Sequence, residues 1–312
     1  MVGAPTAMRA QPRPPGRRAV LVLLWATILI LGVNWPLNAM ALRSVSPLWF
    51  TVLRVGGAAV IFSVLGLATG RLRIPSRGDW PVVLSVGVVG TAGVYGFVFT
   101  ALQFVPPGRS SVLVWTAGLW AVPIAAVVLR ERMSPLAWAG LVVGIAGIVM
   151  LFEPWRFRWS DHDVLVGHGL LVVAAILQAA VAVHVRGHRW RRSPADLLAW
   201  QLLVAVGVLV VAAALKEGWP VVRWSWPFGG NLAFQAVLAS GFATWAKQMA
   251  LQRLPATSMT LTMMAVPVVG LISSVVVLGE SVTLAGMLGV VAVIAGVAAS
   301  VAAGAKGAEI VP

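Results

Sequence analysis

Apolar residues run through this chain in long blocks rather than at alternate positions. Residues 19–33, 48–69, 80–103, 109–129 and 135–152 are such blocks, and a polar connection, Glu153–Asp163, follows them. Five more come after it, at 164–185, 195–215, 231–251, 257–278 and 282–303. The first reaches spanning length with its polar extension Asn34–Asn38, and each of the others lies near the ~20 residues that a hydrocarbon core requires. Backbone N–H and C=O groups find no water in lipid, so runs this long predict helices. The pattern predicts an all-α polytopic membrane protein with ten transmembrane helices. Residues 1–18, rich in Pro and Arg and without an apolar period, predict a disordered basic cytoplasmic tail, and 304–312 form a C-terminal tail. A basic start, an apolar middle and Ala39-Met40-Ala41 also suit a cleaved leader. Cleavage there would leave the first half one helix short.

The blocks repeat. Ala101-Leu102-Gln103, Pro106, Val127-Val128-Leu129, Glu131, Gly140, Val142 and Ile145-Ala146-Gly147 recur 149 positions later. Their counterparts are Ala250-Leu251-Gln252, Pro255, Val276-Val277-Leu278, Glu280, Gly289, Val291 and Ile294-Ala295-Gly296. This gives 13 identities in 47 aligned positions without a gap. The Gln, Pro and Glu matches weigh most, because Gln and Glu are scarce here and Pro, unlike Ala, Val and Leu, does not match by apolar composition. The repeat predicts two five-helix units, 19–152 and 164–303, joined by 153–163.

Composition agrees with the pattern. Of 312 residues, 60% are hydrophobic and 10% charged, too few charges for a water-facing surface. Cysteine is absent, which removes disulfides, thiolate metal sites and cysteine nucleophiles. The net charge of +14 sits in short clusters between apolar runs, which encodes membrane topology rather than nucleic-acid binding. With the N-terminus inside, Lys and Arg number 15 in inside segments and 6 in outside segments. Both termini are therefore expected in the cytoplasm of a multi-pass protein of the cell membrane. A shift of five helices is odd, so the second unit enters from the opposite side. Two inverted five-helix repeats follow, with Glu131 cytoplasmic and Glu280 external.

The segments Leu129-Arg130-Glu131-Arg132-Met133-Ser134 and Leu278-Gly279-Glu280-Ser281-Val282-Thr283 each precede a Gly-rich helix. Ser46-Pro47-Leu48 followed by Arg54 lies in the opening half of the first unit, with Ser193-Pro194 and Gln201 at weakly matching places in the second, where the Arg is missing. In these features the chain resembles the paired EamA domains of the drug/metabolite transporter superfamily. The resemblance implies a secondary carrier exporting amino acids or other small metabolites by alternating access. It implies a cavity lined by the first, third, fourth, sixth, eighth and ninth helices.

Charges inside the spans are the first candidates for cargo contact. Lys247 shares one helical stripe with Ser240, Thr244 and Gln248. It either attracts a substrate carboxylate or snorkels toward the surface near Arg253. Arg54 is expected to act as an internal hydrogen-bond hub joining helix carbonyls. Asn34 and Asn38 share a face with Thr27, and Pro36 is expected to disrupt the first helix and free carbonyls beside the path. Tyr95 and Phe99 share a face with Thr91 in the third helix. Trp115 and Pro123 in the fourth helix, with Ser258, Thr262 and Pro267 in the ninth, complete the set, the prolines as points of bending. Trp35, Trp115, Trp120 and Trp245 lie deep enough to wall an aromatic cavity. Glu131 and Glu280 are expected near the N-termini of the fifth and tenth helices, where negative charge is favourable.

The nine acids all lie in connections or at helix ends, so no membrane carboxylate is available to exchange protons for a cation. That disfavours the alternative of a cationic drug exporter. The four His lack ligand spacing and a nearby acid on the same face, which disfavours a membrane enzyme. No cofactor and no metal site are expected. The expected partners are a small-molecule substrate and the lipid bilayer.

Overall fold

The computed structural model describes residues 17–130, 135–152, 155, 162–243, 246 and 263–308. Among them the chain is helical, with no strand. The first half contains α1 (Arg17–Ala41), α2 (Pro47–Ala68), α3 (Trp80–Ala101), α4 (Pro107–Val128) and α5 (Pro135–Phe152). The second contains α6 (His162–Gly187), α7 (Pro194–Glu217), α8 (226–242), α9 (Ala265–Leu278) and α10 (Leu284–Ala308). Six helices, α1 to α4, α6 and α7, are long and apolar enough to cross a bilayer, and shorter apolar helices run through α5, α9 and α10. Proline at the first or second position opens α2, α3, α4, α7 and α8, where its missing N–H would have had no helical partner.

The outside of the helices is as apolar as the core. Val60, Val64, Leu67, Val127, Leu215, Val276 and Val291 are exposed on the outside. Asn38, Thr51, Arg54, Ser111, Thr116 and Gln235 are buried. An apolar exterior over a polar-dotted interior suits lipid, where only the inside supplies hydrogen-bond partners. The main core joins Phe50, Phe99, Leu113, Leu119 and Leu171, with Phe50 and Phe99 edge to face at 5.1 Å.

The two halves pack by exchange of equivalent parts. Helices α5 and α10 lie against each other, as do α2 and α7, and α4 and α9. The contacts α1–α9 and α3–α6 have their counterparts in α6–α4 and α8–α1. Glycines set the approach at α5–α10. A Cβ added at Gly147 would lie 2.6 Å from the Val293 nitrogen and 2.8 Å from the Gly289 oxygen. One added at Gly296 would lie 2.5 Å from the Gly144 nitrogen and 2.6 Å from the Gly140 oxygen. Each contact maps onto the other under the 149-residue shift, and rising numbers in α5 meet falling numbers in α10. The two equivalent helices are therefore antiparallel, in backbone contact of the small-residue kind.

The repeat also governs irregular backbone. A π-helical stretch occupies Ser85–Gly93 in α3 and another Phe234–Phe242 in α8, equivalent to the residue. Helix α4 breaks at Thr116, and α9 begins after a turn at Met264. The expected bend in α4 thus falls at Thr116 rather than at Pro123, which sits within the continuous helix Ala117–Val128. Pro267 follows its turn by three residues. Pro36 does not disrupt α1, which stays helical to Ala41. Its ring leaves the Gly32 carbonyl without a helical donor, and the Ser273 hydroxyl on α9 lies 3.3 Å from that oxygen.

Candidate functional site

Four helices from both halves converge on one buried polar cluster. Arg54 on α2 donates from Nη1 to Oδ1 of Asn38 on α1 at 3.0 Å. Gln235 in the π-helical stretch of α8 donates to the same oxygen at 2.8 Å and approaches Asn231 Oδ1 at 3.3 Å. Asn231 Nδ2 donates to the Leu37 carbonyl at 2.7 Å. From α3, the Tyr95 and Phe99 rings face the guanidinium, whose carbon lies 5.2 and 5.5 Å from their centroids. Arg54 is 4% exposed, and it has no acidic partner among the described residues.

The electrostatics of this cluster are incomplete. An unpaired charge removed from water costs several kcal/mol. Each ring returns about 0.5–2 kcal/mol and the hydrogen bond to the Asn38 amide oxygen about 1.5–3 kcal/mol, but no opposite charge neutralises the guanidinium among the described residues. In and beside this cluster, Arg54 Nε, Gln235 Oε1 and Asn34 Oδ1 are buried without a hydrogen-bond partner among the described residues. A planar guanidinium with an open Nε–H is shaped to bind a carboxylate through two parallel bonds. The acceptor that Arg54 does meet is the Asn38 side chain, not the helix carbonyls expected of it.

Of the residues expected at the site, the structure brings Asn38, Arg54, Tyr95 and Phe99 together. Asn34 is buried one turn before Asn38. Trp115 stands apart, packed with Leu24, Ile28, Met263 and Val266. Pro267 is buried, and its carbonyl accepts from Ser111 at 3.3 Å. Thr244, Trp245, Lys247, Gln248, Ser258, Thr262 and Glu131 lie outside the described residues. The cluster also contains Gln235 and Asn231, which helical spacing alone does not single out. Both begin the eighth apolar run, and a lone amide within such a run is the signal that could have found them.

Acids between helix ends join the halves. Glu217 at the end of α7 accepts from Ser46 Oγ at 2.6 Å and from the N–H groups of Leu48 and Trp49 at 3.0 and 3.2 Å. It thereby caps α2, whose first N–H groups have no helical acceptor. Glu280 accepts the N–H of Gly108 at the start of α4. The helix start that its carboxylate meets is thus in the other half, while α10 opens at Leu284 with the Gly286 N–H donating to Thr283 Oγ at 3.0 Å. Burial pushes the Glu280 carboxyl above the usual range, against the Gly108 N–H and the Arg109 charge. At the start of α3, buried Asp79 accepts from Ser76 Oγ at 2.7 Å, from Arg191 N–H at 3.1 Å and from His188 Nε2 at 3.4 Å. Burial alone would raise the Asp79 carboxyl, but these donors outweigh it and hold it below the usual range. No group of three or more His, Asp or Glu able to hold a metal occurs among the described residues.

Comparisons with known proteins bear on this arrangement. The chain is 26% identical over 271 residues to the uncharacterized transporter YoaV of Bacillus subtilis (strain 168), covering 86% of this chain and 92% of that one. It is 29% identical over 233 residues to the aromatic amino acid exporter YddG of Ancylobacter novellus, covering 72% and 75%. It is 26% identical over 289 residues to the "probable amino-acid metabolite efflux pump" of Salmonella typhimurium, covering 88% and 90%. A crystal structure of a protein 23% identical to it superposes with a TM-score of 0.65 over 91% of this chain and 97% of that one, a likeness of fold. The sequence pattern of the EamA-like transporter family matches twice, at residues 18–153 and 165–302. With a duplicated helical half and an apolar exterior, this multi-pass membrane protein belongs to the EamA-like transporter family.

Proposed function

We propose that this transporter is a secondary carrier exporting small zwitterionic metabolites, amino acids first among them, by alternating access. The observation that carries the proposal is the buried guanidinium of Arg54, with an open Nε and no acid among the described residues, beside the paired rings of Tyr95 and Phe99. A substrate carboxylate there would neutralise the charge and fill the open donor. Two of the relatives named above are described as exporting amino acids or their metabolites, which supports the class of cargo. A cationic cargo would instead meet a fixed positive charge.

In this reading ten helices span the cell membrane as two inverted repeats with both termini in the cytoplasm. The antiparallel α5–α10 pair and the excess of Lys and Arg in alternate connections support it. Reporters fused after Arg73 and after Arg189 should then fall on one side, and those after Gly218 and Gly279 on the other. Lys247, within the eighth apolar run, is a second proposed contact for anionic cargo.

Purified protein in liposomes should accumulate labelled amino acids by exchange. Arg54→Gln should reduce that uptake at least about tenfold, the loss of one charged hydrogen-bonded contact. Uptake that survives both Arg54→Gln and Lys247→Ala across a broad amino-acid panel would refute the proposal.

A further inference from the structure

Tyr95 has a second side. Next to it, between α3 and α6, lies a cavity of about 180 Å³ bordered by Val86, Gly90, Thr91, Tyr95, Gln178 and Val181. Val86, Gly90 and Thr91 belong to the π-helical stretch of α3, a backbone form that occurs often at functional sites. Gly90 keeps the space open, since a Cβ there would lie 3.1 Å from Val181 Cγ1. The cavity is too small for a whole ligand, whose sites run about 300–1,000 Å³. It is about the size that takes a single ring, since benzene enters a cavity of about 150 Å³.

Its lining is mixed. Val86 and Val181 are hydrocarbon, while Thr91 brings a hydroxyl and Gln178 an amide. Neither polar side chain makes a side-chain hydrogen bond among the described residues. A polar group left without a partner when a ligand fills the space costs about 1–3 kcal/mol. The cavity therefore favours an occupant that is mostly ring and carries its own donor or acceptor. Tyr95 forms the common wall, because one part of its ring faces the Arg54 guanidinium while the residue also borders the cavity.

We infer that this cavity is the side-chain pocket of the carrier, and that Thr91 and Gln178 select a ring bearing a hydrogen-bonding group over a plain hydrocarbon ring. The inference rests on the reading of Arg54 as the carboxylate contact. Cargo held there would extend its side chain past Tyr95 toward the start of α3. Tyrosine matches the pocket better than phenylalanine.

The test is binding of tyrosine, phenylalanine and alanine to the purified full-length protein and to the double variant Thr91→Val/Gln178→Leu. Wild type should prefer tyrosine to phenylalanine by about tenfold, since a site with polar partners rejects the analogue lacking them. In the double variant that ratio should collapse while phenylalanine affinity is kept or rises, since no polar group is then left unpaired, and retained binding also reports an intact protein. An unchanged ratio with phenylalanine still bound overturns the pocket and leaves the Arg54 reading standing. Absence of binding of all three to wild type overturns both. Should the double variant bind no phenylalanine, Val181→Phe decides. Loss of both rings with alanine retained supports the pocket, and retention of the rings, or loss of alanine with them, overturns it.

Discussion

Glu280, just past the end of α9, receives the backbone N–H of Gly108 at the start of α4, 3.2 Å from each carboxylate oxygen. A negative charge at a helix N-terminus is favourable, and this one comes from the other half of the molecule. Its carboxyl is raised above the ordinary value of 4.5 by burial. A raised acid contributes stability below its unfolded value and loses it as pH rises through the folded one. Wild type should therefore lose thermal stability in detergent, relative to Glu280→Gln, as pH rises from about 4.5 through that interval. A constant gap between the two proteins across it would contradict the assignment.

The Gly32 carbonyl offers a second test. Pro36 deprives it of a helical donor, and Ser273 Oγ reaches it at 3.3 Å while also lying 3.0 Å from the Gly270 carbonyl. Ser273→Ala should cost about 0.5–1.5 kcal/mol. In a Pro36→Ala background the helix can supply its own N–H, so the cost should shrink. A double-mutant cycle measures the difference, and purely additive effects would show that the two residues are uncoupled.

The glycines at α5–α10 predict equal effects at equivalent places. Gly147→Ala and Gly296→Ala each drive a Cβ into backbone, where nothing flexible can yield. Each should destabilise the protein by about 1–3 kcal/mol, as overpacking does. Gly56→Ala on α2, which meets nothing within 4 Å, should cost no stability. Unfolding in detergent ranks the three, and a large asymmetry between Gly147 and Gly296 would argue against the pseudo-twofold packing.

How much of this was legible in the chain depends on how local each feature is. The duplication showed because Gln103, Pro106 and Glu131 recur in an otherwise monotonous composition. Tyr95, Phe99 and Asn38 were found by helical spacing, since one face carried the polar or aromatic types. The duplicated π-helical stretches were not found. Ser85–Gly93 and Phe234–Phe242 share only the valine at Val88 and Val237, so identity carried no signal of their common backbone. Position along the chain pairs Glu280 with the helix that follows it, whereas its donor stands 172 residues away. The same distance effect hid Glu217, which caps a helix 169 residues back. The sequence points to Arg54 as a hub, but its lack of an acidic partner among the described residues emerges only when its neighbours are assembled.

The measurement that bears most directly on the account is recognition of the carboxylate itself. Counterflow in liposomes can compare an amino acid with its amide as competitors, in wild type and in Arg54→Gln. Wild type should favour the free acid by about tenfold or more, and the variant should treat acid and amide alike. An amide that competes equally in wild type, or a preference for the acid that persists without Arg54, would contradict it.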